Sequence, residues 1–310
     1  MKNSDAEAGR LPRTGRELQA FLRAHGVRPR RRLGQNFMVD PNLVAFVVRA
    51  AHLAAGDRVL EIGTGTGVLT EALAAQGAEV VTVEADPRLY ALVAGRLGQG
   101  VSVRAICADA LATKHRLSAE VEAVLQAWGP GGYHVVANLP YSIAAALLVN
   151  LLRHPARPRA LVVTVQREVA DRLLSPAGTS SYGRLGVEVQ LRARVARLRD
   201  VPPEVFWPRP EVQSSVVDIV PFPEGMRPAP ADETAFSRFL KQVFGQRRKR
   251  LTAVFRDHRP AVVRFLEEQG LKASTRGEVL DPGQLVKAFA ALSAGDAEKG
   301  PVADPQGPKA

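Results

Sequence analysis

The sequence predicts an α/β fold, a doubly wound and mostly parallel seven-stranded sheet with an antiparallel edge, followed by a small all-helical C-terminal domain. Three observations carry this. Between residues 58 and 165, short β-branched or apolar runs alternate with helix-length segments, the pattern of parallel strands joined by crossover helices. Two later runs, residues 186–198 and 215–220, have no long helix between them and read as antiparallel edge strands. Beyond a proline-rich passage at 221–230, apolar residues recur at helical spacing only.

The first strand is Arg58-Val59-Leu60-Glu61-Ile62, bounded by Gly56-Asp57 and by the turn Gly63-Thr64-Gly65-Thr66-Gly67. Residues 68–75 then place Leu69 and Leu73 on one helical face. Strands follow at 79–84, with Val80, Val81 and Val83, and at 101–105, 133–137 and 160–165; residues 87–97 and 144–152 are helices between them. Pro202-Pro203 through Trp207-Pro208-Arg209-Pro210 is a semi-rigid loop interrupting the late strands. Residues 233–244, 246–256 and 260–269 have helical spacing. The expected divisions are a basic N-terminal extension at 1–32, an α/β domain at 33–222, a helical domain at 223–294 and a disordered tail at 295–310. No internal repeat is present.

With 310 residues, 46% of them hydrophobic, the chain can bury a full core. Its apolar stretches fall well short of the roughly 20 residues a membrane span needs. No secretory signal is legible at the start. That segment is Arg-rich, but Asp5, Glu7 and Glu17 and a single Ser argue against an organellar leader. Cys107 is the sole cysteine, which excludes a disulfide framework and a cysteine metal cluster; its expected role is that of a small apolar residue by a strand. The histidines show no metal-type spacing. Net charge is +11, and residues 1–32 and 246–259 account for all of it, with net +6 and +5. Two basic runs flanking a near-neutral body suggest a clamp for a polyanion, nucleic acid above all.

The glycine turn lets the backbone approach a ligand closely, with the amides of the next helix start aimed at it. Glu84, 21 residues after Gly63, stands at a strand tip where a carboxylate can accept both hydroxyls of an adenosine ribose. The spacing is Gly-x-Gly-x-Gly, so the turn by itself fits an ordinary tight loop equally well. Asp109 follows the third strand, as an adenine contact or a helix N-cap. Asn138 follows the fourth. All sit on the carboxyl-end rim where open α/β sheets bind ligands.

Asn138-Leu139-Pro140-Tyr141 predicts an amino-group methylation site. A nucleobase amine is a poor nucleophile because its lone pair is delocalised into the ring. Acceptors at the Asn138 carbonyl and the Leu139 backbone can hold its hydrogens, Pro140 stiffens the turn, and Tyr141 offers a flat face for an extruded base.

These pieces, in this order, resemble the class I S-adenosylmethionine-dependent methyltransferases, whose fold is Rossmann-like. Further segments narrow the resemblance to the ribosomal RNA adenine N6,N6-dimethyltransferase family: Leu33-Gly34-Gln35-Asn36-Phe37-Met38-Val39-Asp40, Gln166-Arg167-Glu168-Val169-Ala170 with Ser181-Tyr182-Gly183-Arg184-Leu185, and the proline loop through Phe206, Val212 and Ser214. It covers about residues 32–251. Thr64 and Thr66, Ser142-Ile143-Ala144 and Arg250-Leu251-Thr252 depart from the family's usual pattern.

The resemblance implies methyl transfer from S-adenosylmethionine, with S-adenosylhomocysteine as product and no metal, to N6 of two adjacent adenines in the 3'-terminal hairpin of small-subunit (16S) rRNA. It implies a cytoplasmic monomer working on the assembling small subunit. Asn36, Met38, Gly63, Gly65, Glu84, Asp109 and Asn138 are the implied cofactor contacts. Asn138, Leu139, Pro140 and Tyr141 are the implied catalytic group, with Phe206 closing the base's other face or anchoring the proline loop. Arg30, Arg31, Arg32, Arg247, Arg248, Lys249 and Arg250 are the expected RNA contacts. Competing readings are a large-subunit rRNA adenine methyltransferase, a mitochondrial transcription factor on the same fold, and an NAD-dependent oxidoreductase.

Overall fold

The computed structural model describes residues 11–12, 14–30, 33–97, 102–130, 132–226 and 229–297. It divides into two compact units, one formed by residues 1–174 and 192–222 and the other by residues 175–191 and 223–310.

In the first unit the sheet is built from β2 (Arg58–Ile62), β3 (Glu79–Glu84), β4 (Val103–Cys107), β7 (His134–Asn138), β8 (Ala160–Gln166), β9 (Ala193–Val201) and β11 (Ser214–Pro221). Their order is β4-β3-β2-β7-β8-β11-β9. The pairs from β4 through β8 are parallel, whereas β11 runs antiparallel to both β8 and β9. Strand order reverses between β2 and β7, and such a switch point opens a crevice at the carboxyl ends. A short hairpin, β5 (Leu111–Thr113) with β6 (Arg116–Leu117), and a two-residue ladder between β1 (Phe37–Met38) and β10 (Phe206–Trp207) lie apart from the main sheet.

The helices α2 (Pro41–Ala50), α3 (Val68–Ala74), α4 (Pro87–Leu97), α5 (Ala119–Trp128), α6 (Ala144–Arg153) and α7 (Arg167–Leu174) connect these strands. Asp40 caps α2 by accepting from the Asn42 amide, and Ser118 caps α5 by accepting from Val121, each satisfying a donor the helix leaves unpaired. Val47, Leu73, Val59 and Val136 meet in one core cluster.

The basic N-terminal extension is in part an element of this unit. Residues Gly15–Ala24 form α1, capped by Thr14, with Leu18 and Leu22 buried. These leucines and Leu11 share a cluster with Leu89, Val93 and Leu97 of α4 and with Phe37. The charged side chains Arg16 and Arg23 stay exposed, so a charge-based reading sees the solvent face and overlooks the apolar stripe beneath it.

The second unit contains α8 (Arg184–Gln190), α9 (Glu233–Gly245), α10 (Leu251–Val254), α11 (Arg259–Glu268) and α12 (Pro282–Ala297). Phe236, Phe239, Phe255 and Phe289 stack or meet edge to face at its centre. Three expectations change here. The run at 186–198 is helix α8 followed by β9, because Val187 and Leu191, four apart, pack together into this aromatic core; the Val187-Val189 alternation mimics a strand. The helical unit takes residues 175–191 from mid-chain, where a single boundary near 222 was expected. Helix α12 runs to Ala297, while residues 298–310 of the expected tail lie outside the described residues.

Candidate active site

A cavity of about 200 Å³ opens in the first unit at the carboxyl ends of the parallel strands and is lined by Asn36, Met38, Gly63, Gly65, Glu84, Asp109, Asn138 and Pro140 among others. Every cofactor contact implied by the resemblance therefore faces one space. The glycine turn wraps its inner wall. Gly63 has φ 86°, and a Cβ there would stand 3.4 Å from Pro140 Cγ, so the two motifs touch. Gly67, at φ 82°, abuts α4 so closely that a Cβ would lie 2.7 Å from Val93 Cγ1. Both positions demand the left-handed conformation that only glycine adopts without strain.

Glu84 is buried, and its two oxygens already accept backbone N–H groups, Oε2 from Gly65 at 3.0 Å and Oε1 from Asp86 at 2.9 Å. Each keeps one further lone pair for a hydroxyl. Burial raises its pKa above the usual carboxylate value, while the two amides oppose the rise. Asp109 is exposed, and its Oδ1 accepts from the Leu111 amide at 3.0 Å, a local turn rather than a helix N-cap.

Asn138 ends β7. Its Nδ2 donates to the Asn36 carbonyl at 2.7 Å, and only the amide nitrogen can donate to a carbonyl, so the side chain's orientation follows. Its Oδ1 is buried and has no hydrogen-bond partner among the described residues. A buried acceptor without a donor costs roughly 1–3 kcal/mol, and one that borders a cavity is poised for a ligand N–H.

The next three residues divide their tasks. Leu139 is buried and its amide donates to the Thr164 carbonyl at 3.1 Å. The Pro140 carbonyl accepts from Ile143 at 3.1 Å and Ala144 at 3.2 Å, turning the chain into α6. Tyr141 is partly exposed, and its hydroxyl meets Ser214 Oγ at 2.6 Å. Phe206 does not line the cavity. It is 2% exposed, pairs with Met38 across the β1–β10 ladder and packs into the core.

The cavity also contains residues that the sequence reading passed over. Glu61 lies on its wall at 1% exposure, hydrogen-bonded to the Thr70 hydroxyl. The available signal was a carboxylate inside an apolar strand, which is rare unless paired. Burial pushes the Glu61 carboxyl up to about 8 from 4.5. The folded chain thus holds a proton that the unfolded chain has shed, and this group's contribution to stability falls as pH rises from about 4.5 to 8, by at most about 1.4 kcal/mol per pH unit. Glu61→Gln keeps an acceptor for Thr70 and removes the titration. Its melting temperature is expected to decline less than the wild type's between pH 5 and 8; parallel curves would show that Glu61 is ionised when folded.

Of the expected RNA contacts, Arg31 and Arg32 lie outside the described residues. Arg30 pairs with the buried Asp86 at 3.5 Å. Arg247 is partly buried, ion-paired to Glu278 and donating to the Thr179, Ser180 and Tyr182 carbonyls. Its guanidinium clasps the 175–191 segment within the helical unit, whereas Arg248, Lys249 and Arg250, the other three expected contacts of that run, are exposed. Among the described residues, no group of three or more His, Cys, Asp or Glu side chains could hold a metal ion, and no helix is long and apolar enough to cross a membrane.

The family model described as "Ribosomal RNA adenine dimethylase" matches residues 26–292. A protein of Magnetococcus marinus named ribosomal RNA small subunit methyltransferase A is 37% identical over 270 residues, 87% of this chain and 94% of that one. One of the same name from Moorella thermoacetica is 37% identical over 287 residues, 90% and 96% of the two chains. Among solved structures, a dimethyladenosine transferase from Plasmodium falciparum has a TM-score of 0.66 at 25% identity, covering 85% of this chain and 98% of its own. The 23S rRNA methyltransferase ErmE shares the fold, with a TM-score of 0.59 at 23% identity over 83% of this chain and all of its own.

Proposed function

Because the chain belongs to the ribosomal RNA adenine dimethylase family, we propose that the cavity between β2 and β7 holds S-adenosylmethionine and that Asn138-Leu139-Pro140-Tyr141 present an adenine N6 to it. The protein is an rRNA adenine N6,N6-dimethyltransferase of the small ribosomal subunit, and its substrate on this reading is the pair of adjacent adenines in the 3'-terminal hairpin of 16S rRNA. One observation carries the mechanism: the buried, unpartnered Asn138 Oδ1 at the cavity's edge.

The cavity's residues fit the cofactor. Glu84 has a lone pair on each oxygen for the ribose hydroxyls, the glycine turn admits a ligand against backbone, and Asn36, Met38 and Asp109 complete the walls. When bound, the cofactor supplies a methyl group on a positively charged sulfur and departs as the neutral thioether. The protein's part is positioning. An adenine swung out of its helix, at a cost of a few kcal/mol, stacks on Tyr141, which returns about 1–3 kcal/mol. Asn138 Oδ1 accepts one N6 hydrogen and the Leu139 carbonyl the other, which draws the nitrogen's lone pair out of the ring and aims it into the cavity. No tuned base is needed, because an alkylated amine is acidic and loses its proton to solvent. The monomethylated nitrogen then realigns for a second transfer.

Arg248, Lys249 and Arg250 on the helical unit are proposed to hold RNA phosphates, so affinity for RNA falls as salt rises. The test is product mapping. Purified protein, S-adenosylmethionine and small subunits lacking the modification are expected to yield N6,N6-dimethyladenosine at two adjacent 3'-hairpin positions by mass spectrometry. Modification of large-subunit RNA instead, or none, would overturn the assignment.

A further inference from the structure

We propose that Ser214 is a positioning residue for methyl transfer: through its hydroxyl it locks the Tyr141 ring as the platform on which the target base stacks. The inference rests on the reading of Tyr141 given above and deepens it.

The two residues come from elements of very different rigidity. Ser214 begins β11 and is fully buried, with its backbone in register with Gln166 of β8 on one side and Val201 of β9 on the other. A strand held on both flanks is among the least mobile parts of a fold. Tyr141 instead follows the Asn138-Leu139-Pro140 turn and precedes α6, so its backbone alone does not fix its ring. The hydroxyl contact at 2.6 Å spans 73 residues of sequence and joins this turn to the sheet. Burial keeps the Tyr141 hydroxyl protonated well above neutral pH, so the pair stays a neutral hydrogen bond across the working range. Swinging the ring about χ1 would carry the hydroxyl away from Ser214 and break it, whereas turning about χ2 leaves the hydroxyl oxygen in place, so the bond fixes where the ring stands. A base meeting a held ring loses less freedom on stacking than one meeting a mobile ring.

Ser215 provides an internal control. Its side chain leaves the opposite face of β11 and donates to Asp200 Oδ1 at 2.6 Å. Ser215→Ala therefore removes a hydroxyl bond of equal length from the same strand without touching Tyr141.

The experiment is a double-mutant cycle. Tyr141→Phe, Ser214→Ala, the double variant and Ser215→Ala are compared for kcat and for KM toward unmethylated small subunits, with cofactor affinity by calorimetry and folding by melting temperature. A target hairpin carrying 2-aminopurine at the modified position reports stacking by fluorescence quenching without any turnover. Tyr141→Phe and Ser214→Ala are each expected to lower kcat about 3- to 10-fold and to weaken quenching, with the double variant no worse than either alone. Cofactor affinity stays unchanged, and Ser215→Ala keeps wild-type kcat. Multiplicative losses in the double variant, or full activity and quenching in Ser214→Ala, would overturn the proposal. Tyr141→Ala separates this failure from failure of the underlying reading. If Tyr141→Ala turns over normally, the platform itself is wrong; if it is crippled while Ser214→Ala is unaffected, only the anchor is wrong.

Discussion

Replacing Asn138 with alanine is expected to slow methyl transfer about 10²- to 10³-fold, the range found when one preorganised polar group that acts in the transition state is removed. Cofactor affinity should change by no more than about fivefold, since one neutral hydrogen bond is at stake in binding. The asymmetry arises from what Asn138 does. Its Nδ2 is committed to the Asn36 carbonyl, so the amide cannot rotate, and its Oδ1 is left without a donor in the absence of substrate. The hydrogen bond to this acceptor strengthens as the nitrogen gains positive charge on taking the methyl group, which makes its effect greater in the transition state than in the bound complex. Asn138→Asp should be as damaging although it retains an oxygen, because a carboxylate cannot donate to the Asn36 carbonyl and would be repelled by it. Single-turnover rates at saturating cofactor, with calorimetry for affinity, decide the matter. Near-normal transfer by Asn138→Ala would end the proposed mechanism.

Glu84→Ala is expected to weaken S-adenosylmethionine binding by at least about 100-fold, with a smaller effect on the rate once the site is saturated. Two losses combine. The ribose loses its acceptors, each charged hydrogen bond contributing about 1.5–3 kcal/mol, and the Gly65 and Asp86 amides lose theirs, so the glycine turn is no longer tied to the tip of β3. Glu84→Gln removes half of each effect, since its carbonyl can still take one amide and one hydroxyl while its NH₂ faces the other amide. The expected order of affinity is wild type, then Gln, then Ala, read by calorimetry and by the cofactor-induced rise in melting temperature. Equal affinity in all three would mean that the ribose lies elsewhere.

Particular elements show how far local pattern reached. The turn from Gly63 to Gly67 and the run into Asn138 announce themselves in the sequence because the chemistry of close approach allows few residue types. The strands β2, β3, β4, β7 and β8 are apolar enough to identify singly, and the helix-length segments between them imply their parallel direction. Helix α8 was not legible, since a segment buried on several sides has no polar face from which to read a period. The surroundings of Phe206 and Arg247 were not legible either. A ring in a proline loop can stack on a base or fill a core, and an arginine in a basic run can face phosphate or clasp carbonyls; the choice depends on partners far away in the chain.

From the sequence alone come the α/β class, the glycine turn with Glu84 at its strand tip, and the Asn138-Leu139-Pro140-Tyr141 signature, each a matter of local spacing. Tertiary structure alone decided that Asn36 orients Asn138, that Ser214 holds Tyr141, that Glu61 keeps its proton and that residues 175–191 join the helical unit. The physical reason is common to all four. Orientation, desolvation and packing are set by what surrounds a residue in space, and contacts across 73 or 102 positions leave no periodicity in the chain that makes them.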